Sequence, residues 1–94
     1  MKVTAEFTGG LEYLFGGHKT IPLELQSPAF IRDVVAALVS DHLKERKELF
    51  IAENTVRPGI LVLRNNTDWE LEEGQDTMLC GNDVVTFIST LHGG

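Results

Sequence analysis

Val3, Ala5 and Phe7 alternate with Lys2, Thr4 and Glu6 at the start of the chain, the period-two pattern of a strand with one face buried. A second alternation follows the Gly9-Gly10 and Gly16-Gly17 pairs, with Ile21, Leu23 and Leu25 set against Thr20, Pro22 and Glu24. Pro22 has no N–H to give to a ladder, which predicts an edge strand, and the two runs together predict a long-looped hairpin. The period then changes. Ile31, Val34, Val35 and Leu38 recur at helical spacing, and Ser27 followed by Pro28 supplies a candidate N-cap and first helical residue. A charged run over 44–48 reads as a solvated helix end, after which Leu49, Phe50 and Ile51 are expected to tuck back onto the core. Residues 60–63 form a continuous apolar strand, ended by the turn-prone Asn65-Asn66-Thr67-Asp68 before Trp69 and Leu71, so a second hairpin or short edge strand is predicted. Asn82-Asp83 turns the chain into Val84-Val85-Thr86-Phe87-Ile88, apolar on both faces and therefore expected to be central. Two strands, a crossover helix and further strands predict one α+β domain over residues 1–94, a mixed sheet with one main helix packed on one face.

Length and composition narrow the function classes. A chain of 94 residues suits a single domain, burying about 60–65% of the surface it exposes unfolded. Its longest wholly apolar stretch, residues 34–39, is far short of the ~20 residues that span a bilayer, and no apolar signal core begins the chain. A soluble, intracellular protein is expected, cytoplasmic with the nucleus left open, and no membrane partner. Fourteen acidic against eight basic residues give a net charge of −6, which opposes direct capture of a phosphate backbone. One cysteine, Cys80, rules out an internal disulfide, and the scattered His18, His42 and His92 offer no metal-ligand spacing. No metal is expected. Gly16-Gly17-His18-Lys19 lacks the glycine spacing and the Lys-Ser/Thr pair of a phosphate loop, and no nucleophile elbow accompanies the serines. The chain does not read as an enzyme.

What chemistry remains is concentrated at the end, Leu91-His92-Gly93-Gly94. Without Cβ atoms the last two residues can lie in a narrow channel. At about 3.3–3.6 Å per residue, residues 91–94 reach roughly 13 Å beyond the body. The Gly94 carboxylate is the candidate reacting group, and Leu91, His92 and Gly93 would present it. Cys80 is expected to be a small buried hydrophobe rather than a sulfur relay. Val85 and Phe87 project to the face opposite Val84 and Ile88. Either loops such as Phe50-Ile51 and Leu11–Phe15 cover that face, or it is an exposed patch that docks a partner.

Three stretches carry a family resemblance. Val56-Arg57-Pro58-Gly59-Ile60-Leu61-Val62-Leu63, Asp68-Trp69-Glu70-Leu71 and Phe87-Ile88-Ser89-Thr90-Leu91-His92-Gly93-Gly94 resemble the ubiquitin-related modifier family, the sulfur-carrier-like branch of ubiquitin-like proteins. Gly9-Gly10-Leu11-Glu12 and Leu14-Phe15-Gly16-Gly17 extend the likeness. Arg64 stands where that pattern would carry an apolar residue. The resemblance implies a β-grasp fold with a flexible Gly-Gly tail over 90–94. It also implies that the chain is the carried substrate of an adenylating enzyme with a rhodanese-like part. On that enzyme the Gly94 carboxylate would be adenylated by ATP and a persulfide would displace AMP, leaving a thiocarboxylate. No cofactor is bound by the chain itself. The implied recipients are an enzyme that thiolates wobble uridine in tRNA and, by isopeptide bonds, protein lysines. A sulfur carrier for molybdopterin or thiamin synthesis would share the fold and the tail. A non-covalent ubiquitin-like module using the Val85/Phe87 face is the reading from another class, and ending at Gly94 argues against it. A free tail and small size imply a monomer.

Overall fold

The structure is a computed structural model and describes residues 1–90. A five-stranded mixed sheet runs in the order β2-β1-β7-β5-β6, where β1 is Lys2–Thr8, β2 Thr20–Glu24, β5 Ile60–Arg64, β6 Thr67–Asp68 and β7 Val84–Ser89. β1 and β7 are parallel, and every other pairing is antiparallel. The helix α1, Ile31–Asp41, lies between β2 and the later strands in sequence, and a separate two-stranded hairpin joins β3, Ile51–Ala52, to β4, Thr55–Val56. This is the β-grasp architecture, with α1 laid across one face of the sheet.

The alternations read from the sequence set the register. Pairing Val3 with Leu23 and Ala5 with Ile21 puts the apolar residues of β1 and β2 on one face. Pairing Phe7 with Phe87 and Val62 with Phe87 continues that face across β7 to β5. A slip of one residue would turn every one of these side chains to the other side. β2, with Pro22, is an edge strand as predicted, and β7 is central between β1 and β5. From α1, Ile31, Val34 and Leu38 close over the same face, all fully buried.

Two expectations need correction. The helix does not begin at Ser27-Pro28. Backbone bonds from Ile31 N–H to the Thr77 carbonyl (3.0 Å) and from Leu79 N–H to the Ala29 carbonyl (2.8 Å) commit residues 29–31 to an extended pairing with 77–79. The first turn therefore starts after Phe30, whose N–H donates to the Asp33 carboxylate at 2.8 Å. That is the returning half of a capping box with no Ser or Thr to announce it. Secondly, Cys80 is exposed rather than buried. Its Sγ accepts from Arg64 Nη2 at 3.8 Å.

The β3–β4 hairpin was not read from the sequence. Its turn, Glu53-Asn54, holds both residues at positive φ (55° and 69°), the backbone of a two-residue hairpin loop. Asn54 suits it; Glu53 disguises it. The hairpin belongs to the segment that tucks back, for Phe50 is fully buried and Leu49 and Ile51 are partly so. Residues 44–48 are exposed as expected, beyond the end of the helix rather than on it.

Candidate functional site

The candidate reacting group and the three residues expected to present it, Gly94 with Leu91, His92 and Gly93, lie outside the described residues. What the structure describes is the place from which they leave. β7 carries the chain along the middle of the sheet to Ser89, which pairs with Ile60 on β5. Thr90 follows. Its N–H donates to the Gly59 carbonyl at 2.9 Å, and its hydroxyl donates to the same oxygen.

Gly59 is itself held. The turn from Arg57 to Ile60 is closed by an Ile60 N–H bond to the Arg57 carbonyl (3.2 Å), and Gly59 sits at φ 100°, a backbone angle that favours glycine. Arg57 fastens this turn to the body. Its N–H donates to the Phe50 carbonyl at 2.8 Å, and its guanidinium Nη1 donates to the Glu48 carbonyl at 3.2 Å. On the opposite side Gly9, at the end of β1, meets Ser89 so closely that an added Cβ would lie 2.6 Å from the Ser89 carbonyl oxygen. The end of β7 is thus enclosed by two glycine turns, one after β1 and one before β5. A shallow groove of about 200 Å³ opens beside it, lined by Gly10, Leu11, Leu14, Leu49 and Arg57.

The start of β7 is built differently. Asp83 is 5% exposed and its carboxylate takes three hydrogen bonds at 2.8 Å, from Arg64 Nε, Asn65 Nδ2 and the Cys80 N–H. Burial alone would push the Asp83 carboxyl up. The Cys80, Asn65 and Arg64 donors outweigh it and hold the group below the usual carboxylate range. The Arg64 guanidinium is raised in turn, first by its bond to Asp83, and it also reaches Glu72 at 3.1 Å. Arg64 therefore stands at an apolar-looking position because it closes the sheet end with a paired charge.

Val85 and Phe87 do not form a partner face. Both are fully buried. Phe87 stacks on Phe7 with centroids 5.7 Å apart and meets the edge of Phe50 at 5.5 Å, while Phe15 stacks on Phe7 at 4.2 Å. The sheet face they occupy is the one that α1 covers, and the Leu11–Phe15 turn and the Phe50 segment complete the cover. Of the two sequence readings, the covering loops are the correct one. The other face carries Thr4, Glu6, Leu61, Leu63, Val84 and Ile88, each half-buried, with Thr86 donating to the Glu6 carboxylate at 3.0 Å.

Sequence reasoning did not single out Gly9, Gly59 and Thr90 as a unit. Gly9-Gly10 was read as punctuation and Arg57-Pro58-Gly59 as part of a motif. Nothing local in either segment says that both converge on the same strand end.

Comparison with known proteins agrees with this fold and extends through the tail. The sequence profile of the family described as Urm1 (Ubiquitin related modifier) matches residues 2–94. The ubiquitin-related modifier 1 homolog of Chlamydomonas reinhardtii is 46% identical over 98 residues, covering 100% of this chain and 99% of that protein. Ubiquitin-related modifier 1 of Bos taurus is 49% identical over 98 residues, covering 100% of this chain and 96% of its own length. The solution structure of Urm1 from Trypanosoma brucei superposes with a TM-score of 0.85 at 40% identity, covering 99% of this chain and 95% of that one.

Proposed function

The chain belongs to the ubiquitin-related modifier family, and on that premise we propose that it is a sulfur carrier whose reacting group is the Gly94 carboxylate. The observation that carries this reading is the family match itself, which runs through residues 91–94 to Gly94. The body described above supports it by offering a strand end enclosed by glycines and no other built reaction centre among the described residues.

A carboxylate resists nucleophiles because its leaving group would be oxide, so it must be activated first. A Gly94 carboxylate oxygen attacks the α-phosphorus of ATP on an activating enzyme. Pyrophosphate leaves and a mixed anhydride with AMP forms. The terminal sulfur of an enzyme persulfide then attacks the acyl carbon and AMP leaves. A thiol cleaves the resulting sulfur–sulfur bond, becoming the disulfide partner of the enzyme sulfur, and Gly94 retains a thiocarboxylate. ATP and the sulfur source belong to the enzyme, and the chain supplies only the reacting end. From the thiocarboxylate, sulfur passes to an enzyme that thiolates the wobble uridine of tRNA. The net charge of −6 suits a carrier that leaves the nucleic acid to that enzyme. The Nζ of a protein lysine attacking the same activated carbonyl gives an isopeptide bond, the second use of the tail.

The test is intact-mass analysis after incubation with the organism's adenylating enzyme, ATP and a sulfur donor, with a chain lacking Gly94 as control. A gain equal to exchanging one oxygen for one sulfur, localised to Gly94, is the expected result. No gain with an enzyme shown to be active on another substrate would overturn the reading. A non-covalent binding module would instead keep its partner after loss of Gly93 and Gly94. The burial of Val85 and Phe87 removes the surface on which that alternative rested.

A further inference from the structure

We infer that Gly9, Gly59 and Thr90 are positioning residues for the tail, and that the Thr90 hydroxyl, through its bond to the Gly59 carbonyl, fixes the direction in which residues 91–94 leave the body. The inference rests on the carrier reading and adds to it the residues that aim the reacting end.

The argument begins with the tail's composition. Two of its four residues are glycines, which populate a wide range of backbone angles and impose no direction of their own. The position of the carboxylate relative to the body is therefore set at the root. At the root, a single carbonyl, that of Gly59, accepts from both the N–H and the hydroxyl of Thr90. One bond would leave Thr90 free to turn about it; two donors from the same residue fix its backbone and its side chain together. Gly59 can offer its carbonyl there because the turn holds it at φ 100°, and Arg57 ties that turn to the Phe50 and Glu48 carbonyls. Gly9 closes the other side, since its missing Cβ is what lets β1's end lie against Ser89.

Thr90 is exposed and lies just past β7, where a strand end with only stability to gain has little use for a second bond to one carbonyl. Releasing it moves the pivot of the tail back by one residue and widens the volume swept by Gly94. A wider sweep lowers the fraction of time that the carboxylate lies in line with the α-phosphate. It leaves untouched the contacts between the two bodies that bring the chain to its enzyme.

The experiment measures ATP–pyrophosphate exchange by the adenylating enzyme as a function of chain concentration, for the unaltered chain, Thr90→Val and Thr90→Ser. Valine keeps the shape and the N–H and loses the hydroxyl; serine restores it. A single neutral hydrogen bond corresponds to a fall in kcat of about fivefold for Thr90→Val. KM is expected to stay within about twofold, with Thr90→Ser close to the unaltered chain and all three melting together. An unchanged kcat in Thr90→Val would overturn the inference, as would a rise in KM alone or a failure of Thr90→Ser to restore the rate. Absence of exchange with the unaltered chain, on an active enzyme, would sink the carrier reading and this inference with it. That outcome is distinct from exchange that is indifferent to Thr90.

Discussion

β7 is held at both ends, and by opposite means. At its start, charged and amide side chains converge on one nearly buried carboxylate, so that Arg64, Asn65 and the Cys80 N–H all close on Asp83. At its end almost everything is main chain. Two glycine turns approach closely enough to enclose Ser89 and Thr90, and the one side chain that takes part is the short Thr90 hydroxyl. Charge-assisted bonds are the stronger kind, and the start of the strand uses them because nothing has to pass there. The end uses backbone and glycine because bulky or charged groups at that point would widen the exit that a tail-first substrate has to thread. The same strand is thus anchored for stability at one end and for access at the other.

Between the two ends lies the largest single effect. Phe87→Ala removes a fully buried ring that touches Phe7 and Phe50. It should cost about 3–5 kcal/mol in denaturant melts, enough to unfold much of a small domain. Binding studies on that substitution would report on folding rather than on a surface. Asp83→Ala should rank next, at about 2–3 kcal/mol by the same melts, because it strands the Arg64 guanidinium, the Asn65 amide and the Cys80 N–H together. If the comparison is right, Asp83→Ala lowers stability while a chain that remains folded still accepts AMP at Gly94 at the normal rate.

How far the sequence foretold each end follows from what made it. The strands, their apolar faces and the edge position of β2 were legible because alternation over five to seven residues is a local signal. The central place of β7 was legible from its two apolar faces. The covering of Val85 and Phe87 was not settled, because it depends on Leu11–Phe15 and Phe50 arriving from distant segments, and one amphipathic helix does not reveal what loops do. Arg64 looked out of place for the same reason: its partner Asp83 is nineteen residues away. The Ser27-Pro28 signal is a sound local cap that lost to a tertiary pairing, Ala29 and Ile31 with Thr77 and Leu79. Of the tail, the chemistry was legible in four residue types, whereas its root was hidden in two glycine motifs.

Gly9→Ala tests the end of the strand from the opposite side to Thr90. Alanine there combines a left-handed φ of 73° with a Cβ only 2.6 Å from a backbone oxygen, and no flexible side chain can yield. A loss of about 1–2 kcal/mol is expected from the backbone strain. The larger consequence should fall on the rate of adenylation, since relief requires Ser89 to move. Gly10→Ala, at φ 99° but with open space around its Cβ position, should share the strain and spare the rate. Equal effects of the two substitutions on the adenylation rate would remove Gly9 from the root.

The smallest expected effect sharpens the contrast between the ends by pH. Asp83 has a folded-state pKa below the model value of 3.8, so its contribution to stability is fully present above the unfolded value. It is lost as pH falls from about 4 through the depressed folded value. Stability of the unaltered chain should therefore decline over that acid range, and the decline should be shallower in Asp83→Asn, which cannot ionise. Glu24, lowered chiefly by the N-terminal ammonium that it accepts from at 2.8 Å, adds a fully exposed and salt-sensitive share of the same sign. Thr90→Val and Gly9→Ala carry no titrating group, so their acid slopes should parallel that of the unaltered chain even where their adenylation rates differ. If Asp83→Asn leaves the slope unchanged in high salt, where the Glu24 pair is screened, the start of β7 is not held by charge. The two ends of the strand would then be anchored by the same kind of force.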